Sequence, residues 1–371
     1  MSLSASVVIP AYNSGRFLGP ALDSVRSQSR DDYEILVVDD GSTDDTREVA
    51  RRHPRVRLFE QSHGGASAAR NLAVREAQAP IIAFLDSDDL WHRDHLETML
   101  GLLEREPEAI GAASGVDILS SDGRPAGQSW IFGEREDLAT LSRKGCPMLT
   151  SAVAVRRDLL LLEPFDETLS TAHDWDLWIR LLLRGRFALA GRVTVGYRRH
   201  GAALSMNHDA RLRNRHRMVA KHAGAPWAPM LEAYVELHDM RRSLAAGRTR
   251  EADELLASAC RRYPAITQDL QWWAFFESFR SHDRPDAISR ARFWQAMQAC
   301  VHVCTNRSLP LHWAERRLAL AEGLQAGSSY ARIAGLRPEA FGLLWLARLR
   351  RLGFRRPPAP PTVSDRETSA R

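Results

Sequence analysis

The chain has 371 residues, of which 44% are hydrophobic and 26% are charged, and it carries a formal net charge of +5 with a pI near 9.3. This length allows two domains with a sizeable core, and the composition is typical of a globular protein rather than a disordered or fibrous one. The charge is too small to indicate nucleic-acid binding by itself, although it suits anionic ligands or an anionic membrane surface.

The cysteines and the hydropathy pattern argue against a zinc site, a signal peptide and a membrane span. None of the four cysteines forms a CxxC pair, so a zinc site lacks its usual ligand pattern and reduced thiols are expected. The N-terminal stretch MSLSASVVIPAYN has no basic start and no long apolar run, and no run of about 18 apolar residues occurs elsewhere. We therefore expect neither a secretory signal peptide nor a membrane span, and a cytoplasmic location.

The N-terminal part of the chain alternates between strand and helix patterns. The strand patterns are SVVIP, YEILVVDD, VRLFEQ and IIAFLD, and the helix patterns between them are RFLGPALDSVRSQ, DDTREVARRH and GASAARNLAVREAQ. This alternation predicts an α/β fold, a Rossmann-like, mostly parallel sheet with helices on both faces. Ligands of such sheets bind beyond the carboxyl ends of the strands, where this sequence places PAYN, DDGSTDD and DSDD.

The pattern changes twice further along the chain. AASGVDIL, LTSAVAV and FALAGRVTVGYRRH indicate strands, and HDWDLWIRLLLRG indicates a helix. We expect these elements to complete a first domain over residues 1–210. Residues 211–356 are predicted to form an α-helical region, and residues 357–371 a disordered Pro-rich tail.

Three carboxylates, Asp86, Asp88 and Asp89, follow the fourth strand pattern within four positions. Like charges at a strand end cost free energy unless something positive neutralises them. One interpretation is helix capping, with Asp88 or Asp89 at the start of the helix pattern LWHRDHLETMLGLL. The other is a divalent cation, because Mg²⁺ and Mn²⁺ bind one or two carboxylates together with substrate phosphates. The residues alone leave both interpretations open.

Three further motifs suggest a nucleotide ligand. Asp39 and Asp40 follow ILVV, where turn and cap chemistry does not require two acids, and a carboxylate there can accept hydrogen bonds from a base or a sugar. Tyr12 in PAYN offers an aromatic face, while the paired glycines and Arg70 of HGGASAARN suit a diphosphate, with an ordinary surface arginine as the alternative. Neither a dinucleotide fingerprint nor GxxxxGK[ST] is present, which argues against hydride transfer and P-loop chemistry.

Together, SVVIPAYN, ILVVDDGSTDDT, GGASAARN, FLDSDDLW and HDWDLWIRL resemble the family 2 glycosyltransferases of the GT-A fold, in the family's order and spacing. The resemblance covers about the first two hundred residues. It implies transfer of a sugar from a nucleotide-diphosphate donor, most simply a UDP-sugar, commonly with inversion at the anomeric carbon. The implied cofactor is Mg²⁺ or Mn²⁺, and the implied acceptor is a saccharide or a lipid-linked saccharide.

The resemblance also implies roles for individual residues. The residues expected to bind the nucleotide-sugar are Pro10, Tyr12, Asp39, Asp40, Arg70, Asp86, Ser87, Asp88 and Arg199. Asp86 and Asp88 match the family's Asp-x-Asp pair, which holds the ribose and the metal–diphosphate. The expected metal contacts are Asp86, Asp88 and His200; His200 lies in an Arg–His segment that closes over the diphosphate, and a structural histidine is the alternative.

The reaction needs a general base to take the proton of the acceptor hydroxyl. By resemblance, the base is an Asp of an acidic pair that opens a helix, and Asp174 matches it. His173 stands where the family usually shows an acid, which removes a neighbouring negative charge. Asp174 and Asp176 should point to different sides of the helix, so only one of them serves the site. The alternative is that Asp174 simply favours a helix N-terminus.

Features outside these motifs refine the expectation. The Gln-x-x-Arg-Trp signature of processive synthases is missing, which favours single addition. Residues 341–356 carry five arginines and no acid, so they suit either an interfacial helix on an anionic membrane or a docked helix with solvated arginines.

A catalytically silent GT-A domain that binds a nucleotide-sugar or a partner is the alternative function. A nucleotidyltransferase is disfavoured because AYNSGRFL is not a glycine-rich, lysine-bearing loop.

Overall fold

The computed structural model describes residues 3–131, 145–200, 208–245 and 248–263, together with residues 137, 139, 142 and 143. They lie within one compact unit, Met1–Tyr263. The tail expected over residues 357–371 and the candidate membrane helix at 341–356 lie outside the described residues. The domain boundaries predicted from the sequence therefore stay predictions. In the part of the chain that is described, no helix has the length and apolar character needed to cross a membrane.

One mixed sheet contains the strands of the described residues. The strands are β1 Ala5–Ala11, β2 Tyr33–Asp39, β3 Val56–Glu60, β4 Ile81–Phe84, β5 Leu90–Trp91, β6 Gly111–Leu119, β7 Pro125–Trp130, β8 Val153–Arg156 and β9 Phe187–Arg198. Their order is β3-β2-β1-β4-β8-β6-β9-β5, and β7 pairs with β6 off this path. Strands β1 to β4 pair in parallel, whereas β8 is antiparallel to both β4 and β6. Strand β9 is parallel to β6 and antiparallel to β5.

The helices flank this sheet and continue beyond it. They are α1 Gly15–Arg26, α2 Thr46–Arg51, α3 Ala66–Glu76, α4 His95–Arg105, α5 Arg157–Leu162, α6 His173–Leu182, α7 His208–Lys221, α8 Ala228–Ala245 and α9 Thr249–Arg262. The predicted α/β fold is confirmed. The strands β1 to β4, which pair in parallel with one another, are those whose patterns open the sequence. Each antiparallel pair described above includes a strand from the later part of the chain.

The parallel strands are apolar because helices cover both of their faces. Every residue of β1, β2 and β4 is buried, as expected for central parallel strands. Strand β1 pairs with β4 only as far as Val8 and Phe84, so the missing N–H of Pro10 interrupts no pairing on that side. The main core joins these strands to α1 and α4 through residues such as Ile9, Leu18 and Met99.

The start of α4 differs from the prediction. Leu90 and Trp91 form β5, which pairs with β9, and α4 begins at His95 with Asp94 at its N-cap position. The capping interpretation of Asp88 and Asp89 is therefore wrong, because neither residue lies at the start of that helix.

Helix α6 connects the sheet domain to the helices that follow it. Trp175 and Ile179 on α6 share an apolar cluster with Met218, Leu231 and Val235 of α7 and α8. A buried ionic contact lies on another side of α6. The Asp176 carboxylate receives Arg180 Nε at 2.9 Å, Lys221 Nζ at 2.9 Å and His222 Nε2 at 3.0 Å.

Candidate active site

The loops that follow β1 and β2 hold each other at the carboxyl end of the sheet. Asn13 adopts a left-handed φ of 48°, a region that Asn tolerates better than most residues. Its N–H donates to Ser42 Oγ at 2.9 Å, and its Oδ1 accepts the N–H of Thr43 at 2.8 Å. This reciprocal clamp leaves Tyr12 exposed at the end of β1, with its ring centroid 4.2 Å from that of His63.

Asp40 shapes the loop before α3. Its carboxylate accepts the N–H groups of Gly64 and Gly65 at 2.7 and 2.8 Å and the Gln61 amide at 2.7 Å. His63 Nδ1 also lies 2.9 Å from Asp40 Oδ2. The glycine N–H groups that the sequence suggested for a diphosphate thus donate to Asp40. Both oxygens of this carboxylate accept hydrogen bonds from within the protein.

Asp39 lies at the end of β2 and is only 1% exposed. Its carboxylate accepts the N–H of Ser42 at 3.2 Å and lies 3.8 Å from Arg47 Nε. Its buried position supports the turn that presents Ser42 and Thr43 to the β1 loop. The nucleoside roles assigned to Asp39 and Asp40 by resemblance stay predictions.

Arg70 is buried, unlike an ordinary surface arginine. One guanidinium nitrogen donates to Asp86 Oδ1 at 2.5 Å, and the other lies 2.8 Å from His173 Nε2. The guanidinium also packs 5.3 Å from the centre of the Phe165 ring. Arg70 thus joins the acidic loop after β4, residues 86–89, to His173, the first residue of α6.

Asp88 and His200 come together although they are far apart in the sequence. Asp88 Oδ2 lies 2.8 Å from His200 Nε2, and the Asp88 backbone oxygen accepts Arg198 Nε at 2.8 Å. The His200 ring packs on Phe17 of α1, with centroids 4.5 Å apart. Ser87 Oγ donates to Ser14 Oγ at 2.8 Å, which ties this loop to the β1 loop.

Arg198, the last residue of β9, and Arg199, which follows it, have different surroundings. Arg198 is buried against the acidic loop, and its guanidinium lies over the Phe17 ring. Arg199, the residue expected to bind the donor, is half-buried with its guanidinium 5.9 Å from the centre of the Tyr197 ring. Arg198 thus holds the acidic loop, and the donor contact expected of Arg199 stays a prediction.

The three acids of this loop influence each other as the sequence suggested. Burial and the charge of Asp86 raise the pKa of Asp88, although the hydrogen bond to His200 opposes the change. Burial also raises the pKa of Asp89 well above its usual range. Asp89 is structural: its carboxylate accepts Ser151 Oγ at 2.6 Å and the Arg198 N–H at 2.9 Å.

Asp174 opens α6 beside His173. Ala172, just before the helix, has a left-handed φ of 61°, which non-glycine residues seldom adopt and which costs about 1–3 kcal/mol. Asp174 Oδ1 accepts the Trp175 N–H at 2.8 Å, and Oδ2 lies 3.6 Å from Cys146 Sγ. Asp174 is half-buried, whereas Asp176 is fully buried in the ionic contact with α7. The two acids of α6 therefore have different surroundings, and the role of Asp174 as a base stays a prediction.

The residues fit a divalent cation that brings phosphate ligands with it. Asp88 and His200 converge on one place, and Asp86 is next to them but paired with Arg70. Among the described residues, no group of three or more His, Cys, Asp or Glu side chains is arranged to hold a metal ion. Mg²⁺ and Mn²⁺ bind through one or two carboxylates plus substrate phosphates, so a third protein ligand is not required.

Three contributors were not singled out as site residues in the sequence. His63 stacks on Tyr12, Arg198 holds the backbone of Asp88, and Cys146 contacts Asp174. Of these, His63 had a local signal, because an imidazole directly before paired glycines lies in a loop near strand ends. Arg198 and Cys146 reach the site only through tertiary packing.

Comparison with known proteins shows which family the chain is similar to. The glycosyl transferase family 2 model matches residues 6–161. Chondroitin synthase of Escherichia coli is 30% identical over 207 residues, which cover 54% of this chain and 30% of that protein. The chain spans less than two thirds of the length of the curated relatives it matches.

Solved structures share the fold. S. aureus TarS in complex with UDP-GlcNAc aligns with a TM-score of 0.55 and 19% identity over 80% of this chain and 91% of that one. The Pyrobaculum calidifontis mannosyltransferase in complex with GDP-Man and Mn²⁺ aligns with a TM-score of 0.50 and 21% identity over 87% and 88%. Through the match at residues 6–161, this part of the chain is similar to glycosyl transferase family 2, and the solved structures show that the chain shares their GT-A fold.

Proposed function

We propose that this protein is a metal-dependent glycosyltransferase that moves a sugar from a nucleotide-diphosphate donor to an acceptor hydroxyl. One observation carries the proposal: the Asp88–His200 and Asp86–Arg70 pairs lie together at the carboxyl end of the sheet, and Arg70 also reaches His173, next to Asp174. This arrangement combines a place for a cation with a carboxylate suited to accept a proton.

The donor would bind along the ends of β1, β2 and β4. Tyr12 presents an exposed aromatic face for the base, and Pro10 and Asp39 form the buried support behind it. Ser87 links this part to the acidic loop, where Asp86 would contact the ribose. We also propose that Asp40 and Arg199 contact the donor.

Asp88, His200 and Asp86 would hold Mg²⁺ or Mn²⁺ with the donor diphosphate. The cation, when bound, neutralises the charge that develops on the leaving diphosphate. Arg70 keeps Asp86 oriented and partly neutralised, so the loop can carry three acids. His200 is held against Phe17 and faces Asp88 in a fixed orientation.

Asp174 would act as the general base. Its Oδ1 is anchored on the N-terminus of α6, which leaves Oδ2 to accept the proton of the acceptor hydroxyl. The acceptor oxygen would then attack the anomeric carbon on the side opposite the leaving diphosphate, which inverts that centre. We propose single addition, because the sequence lacks the processive Gln-x-x-Arg-Trp signature.

The relatives support a biological setting. Chondroitin synthase of E. coli and a putative teichuronic acid biosynthesis glycosyltransferase of Bacillus subtilis match this chain, so we propose polysaccharide or glycoconjugate synthesis. A UDP-sugar is the first donor to test, followed by GDP-mannose. A cytoplasmic location with membrane contact through residues 341–356 stays a prediction.

The second candidate is a catalytically silent domain that binds a nucleotide-sugar or a partner. The observation in its favour is His173, which stands where the family shows an acid and is directed at Arg70. The two candidates differ in turnover, whether or not the silent domain binds a donor.

Donor hydrolysis separates them. The full chain is incubated with Mn²⁺ and, separately, UDP-Glc, UDP-GlcNAc, UDP-GlcA and GDP-mannose, and release of the nucleoside diphosphate is measured. We expect one donor to be hydrolysed and Asp174→Asn to slow its hydrolysis about 100-fold or more while UDP binding is kept. Asp158→Asn is the matched control, because Asp158 likewise accepts the N–H of the next residue at the start of a helix. UDP binding without hydrolysis of any donor would support the silent domain instead.

A further inference from the structure

The carboxylate of Asp174 has an unusual neighbour in the thiol of Cys146. Cys146 is a reduced cysteine, half-buried at the edge of the apolar cluster that α6 forms with α7 and α8. Its Sγ lies 3.6 Å from Asp174 Oδ2 and 3.4 Å from the backbone oxygen of Met148. Both distances suit a hydrogen bond from sulfur, so the single thiol hydrogen has two acceptors within reach.

The carboxylate is the better of the two acceptors. The Met148 oxygen already accepts Trp178 Nε1 at 3.1 Å, whereas a charged oxygen strengthens any hydrogen bond that it accepts. Trp178 is fully buried, so it also fixes the backbone of the segment that carries Cys146. The thiol is thus held near Asp174 by a segment that is hydrogen-bonded to a buried tryptophan.

The other charged groups around Asp174 lie in different directions. His173 precedes it on α6, and beyond His173 are Arg70 on α3 and Asp86 after β4. Asp176 faces away from it, towards Lys221 and His222 of the α7 segment. Cys146 approaches Oδ2 from another segment, the stretch that leads into β8.

We propose that Cys146 is a positioning residue for Asp174, whose thiol fixes the orientation of Oδ2 for proton transfer. A thiol is a weak donor, so it restrains the carboxylate without competing strongly for the oxygen that takes the proton. A carboxylate oxygen can accept a second hydrogen bond, which leaves room for the acceptor hydroxyl. The catalytic meaning of this contact rests on the proposed function of Asp174, whereas the contact itself can be tested without turnover.

The first test measures the reactivity of Cys146. Iodoacetamide alkylates the thiolate, and a carboxylate that accepts the thiol hydrogen favours the thiol form. The full-length protein, Asp174→Asn and Asp158→Asn are alkylated at pH 7.5, and the Cys146 peptide is quantified by mass spectrometry against the peptides of the other three cysteines. We expect Asp174→Asn to speed alkylation of Cys146 about tenfold, because a tenfold larger acid dissociation constant of the thiol gives about ten times more thiolate at this pH. Asp158→Asn should leave the alkylation rate unchanged. Equal rates in the two variants would overturn the proposal.

The second test measures turnover with the donor that the wild type hydrolyses fastest. We expect Cys146→Ala to lower kcat about five- to tenfold with the donor KM unchanged, and Cys146→Ser to stay within about twofold because the hydroxyl still donates. If Cys146 mattered only for packing, the polar serine would be no better than alanine in this apolar cluster. A serine variant as slow as the alanine variant would therefore overturn the proposal. A wild type that hydrolyses no donor would refute the proposed function, and the alkylation rates would still decide whether the contact exists.

Discussion

Arg70 Nη1 lies 2.8 Å from His173 Nε2, and this contact joins α3 to the first residue of α6. Arginine only donates, so His173 Nε2 must accept, and the ring is neutral with its proton on Nδ1. Burial and the charge of Arg70 both lower the pKa of His173, in agreement with a neutral ring. A neutral acceptor thus stands where the resemblance implies an acid, and Asp86 carries the negative charge that is paired with Arg70.

The contact predicts which residues can replace His173. His173→Leu removes the acceptor and leaves a buried guanidinium N–H unpaired, which should lower the free energy of unfolding by about 1–3 kcal/mol. His173→Gln keeps an acceptor oxygen and should recover most of this loss. Urea denaturation at pH 7.5 measures both variants. Equal losses would show that the hydrogen bond contributes nothing and that packing alone holds the ring.

A second buried histidine predicts the pH dependence of stability. Burial lowers the pKa of His95 to about 3, and Nδ1 of the ring lies 2.7 Å from Thr194 Oγ1. The unfolded chain takes up this proton near pH 6.5 but the folded chain does not, so stability falls as the pH drops from about 6.5 towards 3. The loss approaches about 1.4 kcal/mol per pH unit. Unfolding free energies at pH 6, 5 and 4 should decline less steeply for His95→Gln, and parallel curves would contradict this account.

The ionic contact of Asp176 predicts a large loss of stability on neutralisation. Burial raises the pKa of this carboxyl, but His222, Arg180 and Lys221 outweigh burial and lower it to about 2. The stabilisation is therefore present above about pH 4 and is lost as the pH falls towards 2. Asp176→Asn removes the buried charge that accepts hydrogen bonds from Arg180, Lys221 and His222. Because Arg180 keeps Glu163 and Lys221 keeps Asp166 as partners, the change should cost about 1–3 kcal/mol at pH 7 by chemical denaturation. The exposed Asp158→Asn should cost less than about 0.5 kcal/mol, and a similarly small cost at Asp176 would contradict the role of this contact.

The exposed ring of Tyr12 predicts the affinity for the nucleotide. Stacking of a base on an aromatic ring contributes about 1–3 kcal/mol, so Tyr12→Ala should weaken UDP binding between about 5- and 150-fold. Tyr12→Phe keeps the ring and should bind UDP within about twofold of the wild type. Calorimetric titration with UDP and Mn²⁺ measures both variants. Unchanged affinity in the alanine variant would place the base elsewhere.

The sequence could predict the elements whose pattern is local. The apolar runs of β1, β2 and β4 predicted three of the parallel strands, and the polar clusters that follow them predicted a site at the carboxyl end of the sheet. The order of β8, β6 and β9 could not be obtained this way, because it depends on pairings between strands that are distant in the sequence. The two-residue strand β5 has too little pattern of its own and exists only through its pairing with β9.

The same limit applies to individual side chains. Arg70 looks like a surface helix residue until Phe165 and His173, about a hundred positions away, cover it. Asp40 follows its strand as a ligand-binding acid would, but the turn of the chain at Gly64 and Gly65 brings their N–H groups onto its carboxylate. Residue type and spacing indicated a place for the chemistry, whereas the partners of each group depend on the packing of distant segments.

The most direct test of the account compares UDP binding with and without a divalent cation. Calorimetric titrations of the wild type and of Asp88→Asn are run in Mn²⁺ and, separately, in EDTA. We predict that Mn²⁺ tightens UDP binding to the wild type at least about tenfold, which corresponds to about 1.4 kcal/mol of binding free energy from the metal–carboxylate contact. Asp88→Asn should bind UDP with the same affinity in both solutions. Wild-type affinity for UDP that is the same in EDTA as in Mn²⁺ would contradict a cation at Asp88 and His200.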